Sequence, residues 1–176
     1  VDVDLAAGEH KQAAFLAKNR FGQVPVLEDG AAVIADSSAI LVYLALQYDA
    51  SRTWLPVDPL AAAEVQRFLS TAAGQIASGP AAARLVNVFG AALDHQRAIA
   101  VAHNVLGVLE SHLDGREWLV GNKPTIADVA NYAYIAHAPE GDVSLDNYPH
   151  VRAWLGRIAA LPGFVPMQAT AVGLAA

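Results

Sequence analysis

The chain has 176 residues, a formal net charge of −6 and no cysteine. Hydrophobic residues make up 55% of it and charged residues 16%, which predicts a folded protein with a sizeable core. The acidic balance argues against nucleic acid or an anionic membrane as the main partner, and no apolar run approaches the roughly 18 residues of a membrane span. The lack of cysteine excludes a disulfide framework and is consistent with a cytoplasmic protein.

The segment before residue 50 mixes strand and helix signals. Val1–Leu5 alternates apolar and charged residues, which predicts a half-buried strand. A short helix is predicted over Gln12–Asn19, where alanine, phenylalanine and leucine form an apolar side. Val24–Leu27 and Ala32–Ile34 are predicted strands on either side of an Asp-Gly pair. Because both of these residue types tolerate positive φ, the pair predicts a hairpin turn.

A helix is predicted after the hairpin, and a linker after the helix. Asp36–Tyr48 is predicted as a helix from residues at helical spacing, with Asp or Ser at its N-cap. Residues 50–59 lack periodicity and contain Pro56 and Pro59, which predicts a linker. The sequence therefore predicts three parts: a small αβ domain over 1–49, a linker over 50–59 and a helical domain over 60–176.

The remainder of the chain is predicted to be helical. Leu60–Phe89 carries one helical pattern that is stopped or kinked at Gly79–Pro80. A second long helix is predicted from apolar residues spaced by three and four: Ile99, Ala102, Leu106, Leu109 and Leu113. Thr125 and Asp128 are placed as a capping box that opens a third helix, and His150–Leu161 is predicted as a fourth.

Pro25 interrupts the first strand of the hairpin and affects what that strand can bind. Proline cannot donate to a strand ladder, so it indicates an edge or a strand end. A Val-Pro bond can also be cis at modest cost. This arrangement would turn the N–H and C=O of Val24 toward solvent, where an extended peptide-like ligand can pair with them.

The start of the following helix offers groups that recognise opposite charges. Its free N–H groups and positive dipole end suit a carboxylate. Ser37 adds a hydroxyl donor and Asp36 can accept from an ammonium. A carboxylate beside an ammonium describes the head group of an α-amino acid. Taken singly, Asp-Ser before a helix is usually only a cap, and a proline after valine usually only marks an edge. Their combination at this spacing favours a ligand platform.

A resemblance to one family covers essentially the whole chain. The segments that carry it are Gly8–Lys11, Asn19–Gly30, Asp36–Ile40, Gly121–Asp128, Asn147–Trp154 and Leu161–Phe164. Asn19–Gly30 is similar to the cis-proline strand of the glutathione transferase family, and Asp36–Ile40 to the motif with which that family holds the γ-glutamyl group. Gly8–Lys11 resembles the basic pair by which plant phi-type and many bacterial members hold the glycine carboxylate. The chain is identified as a member of this family.

The resemblance implies a fold and a set of binding residues. The expected fold is an α/β thioredoxin-like N-terminal domain, lacking its first strand and helix, followed by an all-α C-terminal helical bundle. The residues implied to bind glutathione, a co-substrate, are His10, Lys11, Gln23, Val24, Asp36 and Ser37. Pro25, Thr125 and Asp128 are implied to be structural. No metal is expected, because the histidines lack the spacing of helical metal ligands.

The implied activity is transfer of the glutathione thiolate to a small hydrophobic electrophile, in detoxification, by a cytoplasmic homodimer. Residues 68–89 are implied to line the electrophile pocket, although any one of them could instead be core. No catalytic residue is expected in this chain, because Val1–Asp4 resembles the family's second strand and the thiolate-stabilising residue would precede Val1. Two explanations remain open, an incomplete sequence or a truncated protein. The alternative function is a non-catalytic module that binds a ligand or a protein.

Overall fold

The chain divides into two compact units, Val1–Ser51 and Arg52–Ala176. The computed structural model describes residues 1–171. The first unit combines a β-hairpin with helices, whereas regular structure in the described part of the second unit is helical.

The hairpin is built from strands β1 (Val26–Asp29) and β2 (Ala32–Ala35), which pair antiparallel. Gly30 lies in the turn with a φ of 57°, a conformation that glycine adopts without a steric penalty. The predicted hairpin is therefore present, but β1 begins two residues later than expected. Pro25 has no N–H for the ladder, so regular pairing starts only after it.

The predicted strand over Val1–Leu5 is wrong, and the predicted helix over Gln12–Asn19 is too long. Residues 1–4 have no regular structure and pair with neither β1 nor β2. Alternation alone cannot produce a strand, because a strand needs a neighbour to satisfy its backbone N–H and C=O groups. Helix α1 spans only Ala13–Leu16, after a 3-10 turn over Glu9–Lys11.

Helix α2 spans Ser37–Tyr48 and begins where the sequence predicts. Its N-cap is Asp36, whose Oδ1 accepts a hydrogen bond of 2.9 Å from the N–H of Ala39. Asp36 has a φ of 78° and a ψ of 129°. These are unusual backbone angles for a residue other than glycine, and they turn the chain sharply from β2 into α2.

In the second unit, helix α3 (Pro59–Thr71) is joined to helix α4 (Ala82–Phe89) by a π-helical segment, Ala72–Ala81. The interruption predicted at Gly79–Pro80 thus takes the form of a π-helical segment, not a break. Proline lacks the N–H that an α-helical turn requires, and insertions of π-helix are one way in which a continuous helix accommodates such a defect.

Three further α-helices, α5 (His95–Leu113), α6 (Ile126–Ala136) and α7 (Pro149–Ala159), and a 3-10 turn (Ala138–Gly141) complete the described part of this unit. The predicted inner face of α5 is buried, except for the half-buried Ile99. The largest fully buried side chains include Phe68, Ile76, Leu106, Leu109, Ile135 and Trp154. Within residues 1–171, none of the helices combines the length and the apolar character that a bilayer crossing requires.

Thr125 and Asp128 form a capping box at the start of α6, and the box extends into the core. Asp128 is 1% exposed. Its Oδ2 accepts from the N–H of Thr125 at 2.8 Å, and its Oδ1 accepts from the N–H of Leu119 and the indole N–H of Trp154, both at 2.9 Å. One buried carboxylate therefore joins the start of α6 to a preceding loop and to α7.

Candidate functional site

The register of the hairpin brings together the two segments that the sequence singles out. Val26 pairs with Ala35 at one end of the two strands. Val24 and Pro25 directly precede Val26, and Asp36 directly follows Ala35. The proline-containing segment and the start of α2 therefore lie at the same end of the hairpin.

The peptide bond between Val24 and Pro25 is cis. The side chain of Val24 is exposed, and its backbone N–H and C=O form no hydrogen bond with any residue of 1–171. Both backbone groups are therefore available for pairing with an extended ligand, as in the addition of a strand to a sheet edge.

The loop that carries His10 and Lys11 is packed against the turn that precedes Val24. The Nζ of Lys11 donates a 3.0 Å hydrogen bond to the carbonyl oxygen of Gly22. Gly22 has a φ of 58°, and a Cβ there would lie 2.9 Å from the carbonyl oxygen of His10. This close approach and the positive φ require glycine. His10 and Lys11 thus lie beside the segment that leads into the cis-proline.

Asn19 supports this turn, a role that its place in the sequence does not indicate. It is 6% exposed. Its Nδ2 donates to the carbonyl oxygen of Gln23 at 2.7 Å, and its Oδ1 accepts from the N–H of Phe21 at 3.1 Å. In the sequence, Asn19 lies next to polar and charged residues and resembles a solvated loop residue, so its burial gives no signal there.

At the other half of the site, Asp36 and Ser37 are both exposed at the N-terminus of α2. The first N–H groups of a helix lack intrahelical acceptors and carry the positive end of its dipole. This end can therefore bind a carboxylate, with the Ser37 hydroxyl as a further donor.

An unpartnered polar atom lies in the half of the site that contains His10 and Lys11. The Nδ1 of His10 is buried and has no hydrogen-bond partner. Nitrogen atoms in such positions usually have a partner in a complete assembly, which can be a ligand or an ordered water.

In the described part of the chain, no cluster of histidine, aspartate or glutamate has the composition of a metal site.

A second group that the sequence does not indicate joins the turn end of the hairpin to the later part of α2. The carboxylate of Asp29, at the turn end of β1, accepts hydrogen bonds from the hydroxyls of Tyr43, at 2.9 Å, and Tyr48. The Tyr48 and Tyr43 hydrogen bonds lower the pKa of Asp29. The same bonds raise the pKa of both tyrosines. Asp29 is therefore an ionised acceptor and the phenols are protonated donors near neutral pH.

Comparison with known proteins shows what this chain is similar to. Two family models match it, the glutathione S-transferase N-terminal domain over residues 1–46 and the glutathione S-transferase C-terminal domain over residues 91–162. Glutathione S-transferase 3 of Zea mays is 36% identical over 179 residues, covering 93% of this chain and 78% of that protein. The chain belongs to the glutathione S-transferase family.

Solved structures of other glutathione S-transferases support the same assignment. The enzyme of Pseudomonas fluorescens Pf-5 aligns with a TM-score of 0.85 at 32% identity, covering 93% of this chain and 83% of its own. A glutathione transferase homolog from Drosophila mojavensis, solved with bound glutathione, aligns with a TM-score of 0.79 at 29% identity. The alignment covers 92% of this chain and 75% of that one. The predicted fold, a thioredoxin-like first domain followed by a helical domain, is thus confirmed.

Proposed function

We propose that this glutathione S-transferase binds glutathione in its first unit and transfers the thiolate to a small hydrophobic electrophile. The observation that carries the proposal is the placement of an unpaired Val24 backbone and the N-terminus of α2 at the same end of the hairpin. In such a reaction the sulfur forms a bond to an electrophilic carbon. A leaving group departs with the electron pair of the bond that breaks.

The candidate residues complement the functional groups of glutathione. We assign the γ-glutamyl carboxylate to the N-terminus of α2 and Ser37, and the ammonium to Asp36. The cysteinyl backbone pairs with Val24, and Gln23 lies beside it as a further polar contact. The γ-glutamyl and cysteinyl part of the ligand therefore pairs with one backbone segment, one helix terminus and one carboxylate, whose charge is opposite to that of the ligand's ammonium.

The glycine carboxylate is assigned to His10 and Lys11. One Nζ–H of Lys11 is used by the carbonyl of Gly22, and an ammonium has two further donors. The Nδ1 of His10 has no partner, and it is a further donor in the tautomer that carries the proton on this nitrogen. Because a loop histidine beside a lysine can equally be an ordinary polar residue, the unpartnered nitrogen is the observation that favours binding.

The electrophile is proposed to contact exposed apolar residues within the segment 68–89. Phe68 and Ile76 are 2% and 1% exposed, so they belong to the core of the helical unit. Leu85 and Phe89 are 40% and 54% exposed and lie one helical turn apart on α4. Leu85 and Phe89 are therefore the large apolar side chains of this segment that are exposed to a ligand. The role in cytoplasmic detoxification stays a prediction from the resemblance.

Replacing Ser37 with alanine is expected to weaken glutathione binding by about tenfold, because one hydrogen bond to a carboxylate is lost. Retention on immobilised glutathione and the dissociation constant from calorimetry would measure the effect. Ser38→Ala is the matched control, since it also removes a hydroxyl from the first turn and leaves the helix N–H groups in place. Unchanged binding by Ser37→Ala would contradict the assignment of the γ-glutamyl carboxylate to Ser37 and the N-terminus of α2.

We also propose a homodimer, and Phe21 is the residue on which this proposal can be tested. Its side chain is 83% exposed, while its N–H is held by the buried Asn19. The hydrogen bond fixes the backbone at Phe21, and large aromatic side chains are enriched in protein interfaces. Phe21→Ser is expected to shift the protein toward the monomer in analytical ultracentrifugation at micromolar concentration. The matched control is Val165→Ser, which removes an equally exposed apolar side chain. A monomeric unsubstituted protein would contradict the proposal.

A further inference from the structure

Asp29, Tyr43 and Tyr48 form a cluster that the binding contacts described above do not use. Asp29 is on the hairpin, and both tyrosines are on α2, in the middle and at the last residue of the helix. Among residues 1–171, the two bonds to Asp29 are the side-chain hydrogen bonds that join α2 to the hairpin. The cluster is named here the Asp29 clamp.

The clamp holds α2 far from its first residue, at positions where an attachment can fix the direction of the helix axis. At about 1.5 Å per residue, Tyr43 and Tyr48 lie about 9 and 16 Å along the helix from Ser37. The N-terminal end of α2 is tethered to β2 through the single residue Asp36. The helix also packs against both strands, with Ala45 buried, but apolar contacts are non-directional. Two hydrogen bonds further along the helix add a directional attachment that fixes its axis.

The backbone of Asp36 gives an independent reason for such an attachment. Its φ of 78° and ψ of 129° fall outside the regions that non-glycine residues favour. A residue in such a conformation costs free energy and persists only where the surrounding structure holds it. Asp36 is at the junction between β2 and α2, so an attachment that holds α2 against the hairpin also holds this junction.

We propose that Asp29, Tyr43 and Tyr48 are positioning residues for glutathione, because they orient the N-terminus of α2 toward the Val24 backbone. The inference rests on the proposed function. The ligand must reach two sites at once, the Val24 pair on the hairpin side and the first turn of α2. Affinity therefore depends on how well the relative geometry of these two sites is fixed before binding.

The charge states of the clamp fit this role. The tyrosine hydroxyls lower the pKa of Asp29, so its carboxylate accepts both bonds at neutral pH. Hydrogen bonds from neutral donors to a carboxylate are stronger than those to neutral acceptors. Two such bonds on one carboxylate hold both the middle and the end of α2.

The test is calorimetric titration of glutathione into the full chain and its variants, well below the temperature of unfolding. Tyr43→Phe combined with Tyr48→Phe keeps both rings and removes both hydroxyls. We expect it to raise the dissociation constant about threefold to tenfold. Asp29→Asn keeps an acceptor oxygen and should recover most of the affinity that Asp29→Ala loses. A merely stabilising role would lower the unfolding temperature without changing the dissociation constant of the folded protein.

Glu28→Gln is the matched control, because it removes a carboxylate from the same strand and breaks only the pair between Glu28 Oε2 and Lys18 Nζ, at 2.6 Å. Its dissociation constant should stay unchanged. If the unsubstituted chain does not bind glutathione, the proposed function is overturned and this inference with it. If that chain binds and the double variant binds equally well, only the inference is overturned. Should the double variant fail to fold, the dissociation constant of Tyr43→Phe is measured instead: a raised value supports the inference and an unchanged value overturns it.

Discussion

Replacing Asp128 with alanine is expected to lower the free energy of unfolding of the helical unit by about 3–5 kcal/mol. The carboxylate is buried, and it accepts from the backbone of Leu119 and Thr125 and from the indole of Trp154. Its removal leaves two backbone N–H groups and the indole N–H buried without partners, takes the acceptor from the Thr125 hydroxyl at 3.3 Å, and leaves a cavity between α6 and α7. The cost is therefore larger than that of an ordinary helix cap.

Urea denaturation followed by tryptophan fluorescence measures this effect, because Trp54, Trp118 and Trp154 all lie in the second unit. Asp94→Ala is the matched control. Asp94 caps α5 through one bond of 2.9 Å to the N–H of Arg97, but it is exposed. Its loss should cost about 1 kcal/mol. A loss of equal size for Asp128 and Asp94 would contradict the role assigned to the buried carboxylate.

Replacing Glu140 with alanine is expected to cost a similar amount, about 3–5 kcal/mol, because it leaves the guanidinium of Arg84 buried without its ionic partner. Arg84 and Glu140 have side chains that are 8% and 14% exposed, and their Nε and Oε2 atoms are 2.6 Å apart. Glu140 also accepts from His137 Nδ1 at 2.6 Å and from the Thr170 N–H at 3.2 Å. Exposed Glu64, which pairs with Arg67 at 2.7 Å, offers the control Glu64→Ala.

The Glu140 cluster also predicts a pH dependence. Burial acts to raise the pKa of Glu140, but hydrogen bonds from His137, Arg84 and Thr170, with the charge of Arg84, outweigh burial and lower it. A carboxyl whose folded pKa is lowered stabilises the protein above its unfolded pKa, about 4.3, and loses that contribution as pH falls through the folded value. The stability difference between the unsubstituted protein and Glu140→Gln should shrink below about pH 4. A difference that stays constant from pH 7 to pH 3 would contradict this cause.

Local signals predicted several parts of the structure well. The Asp-Gly pair predicted the hairpin, and the Asp36–Ser37 pair predicted the start of α2, because turn and cap preferences act over two to four residues. The spacing of Thr125 and Asp128 predicted the capping box for the same reason. Periodicity predicted the buried face of α5, since its apolar residues recur at helical spacing.

Other features could not be predicted because their partners are remote in sequence. Val1–Leu5 has the pattern of a strand, but pairing with a neighbour decides whether a strand forms. Pro80 indicated an interruption, although only packing shows that the helix continues through a π-helical segment. Asn19 appears polar and unremarkable in the sequence, and its burial under the turn is a tertiary property.

The sequence by itself determined the family, the hairpin with its cis-proline motif, and the start of the helix that follows Asp36. These depend on local backbone preferences and on motifs that are contiguous in the chain. Only the tertiary structure decided which side chains meet across longer separations. Tyr43 and Tyr48 reach Asp29 over 14 and 19 residues, and Arg84 reaches Glu140 over 56. Contacts of this kind depend on how whole elements pack, and no local pattern specifies them.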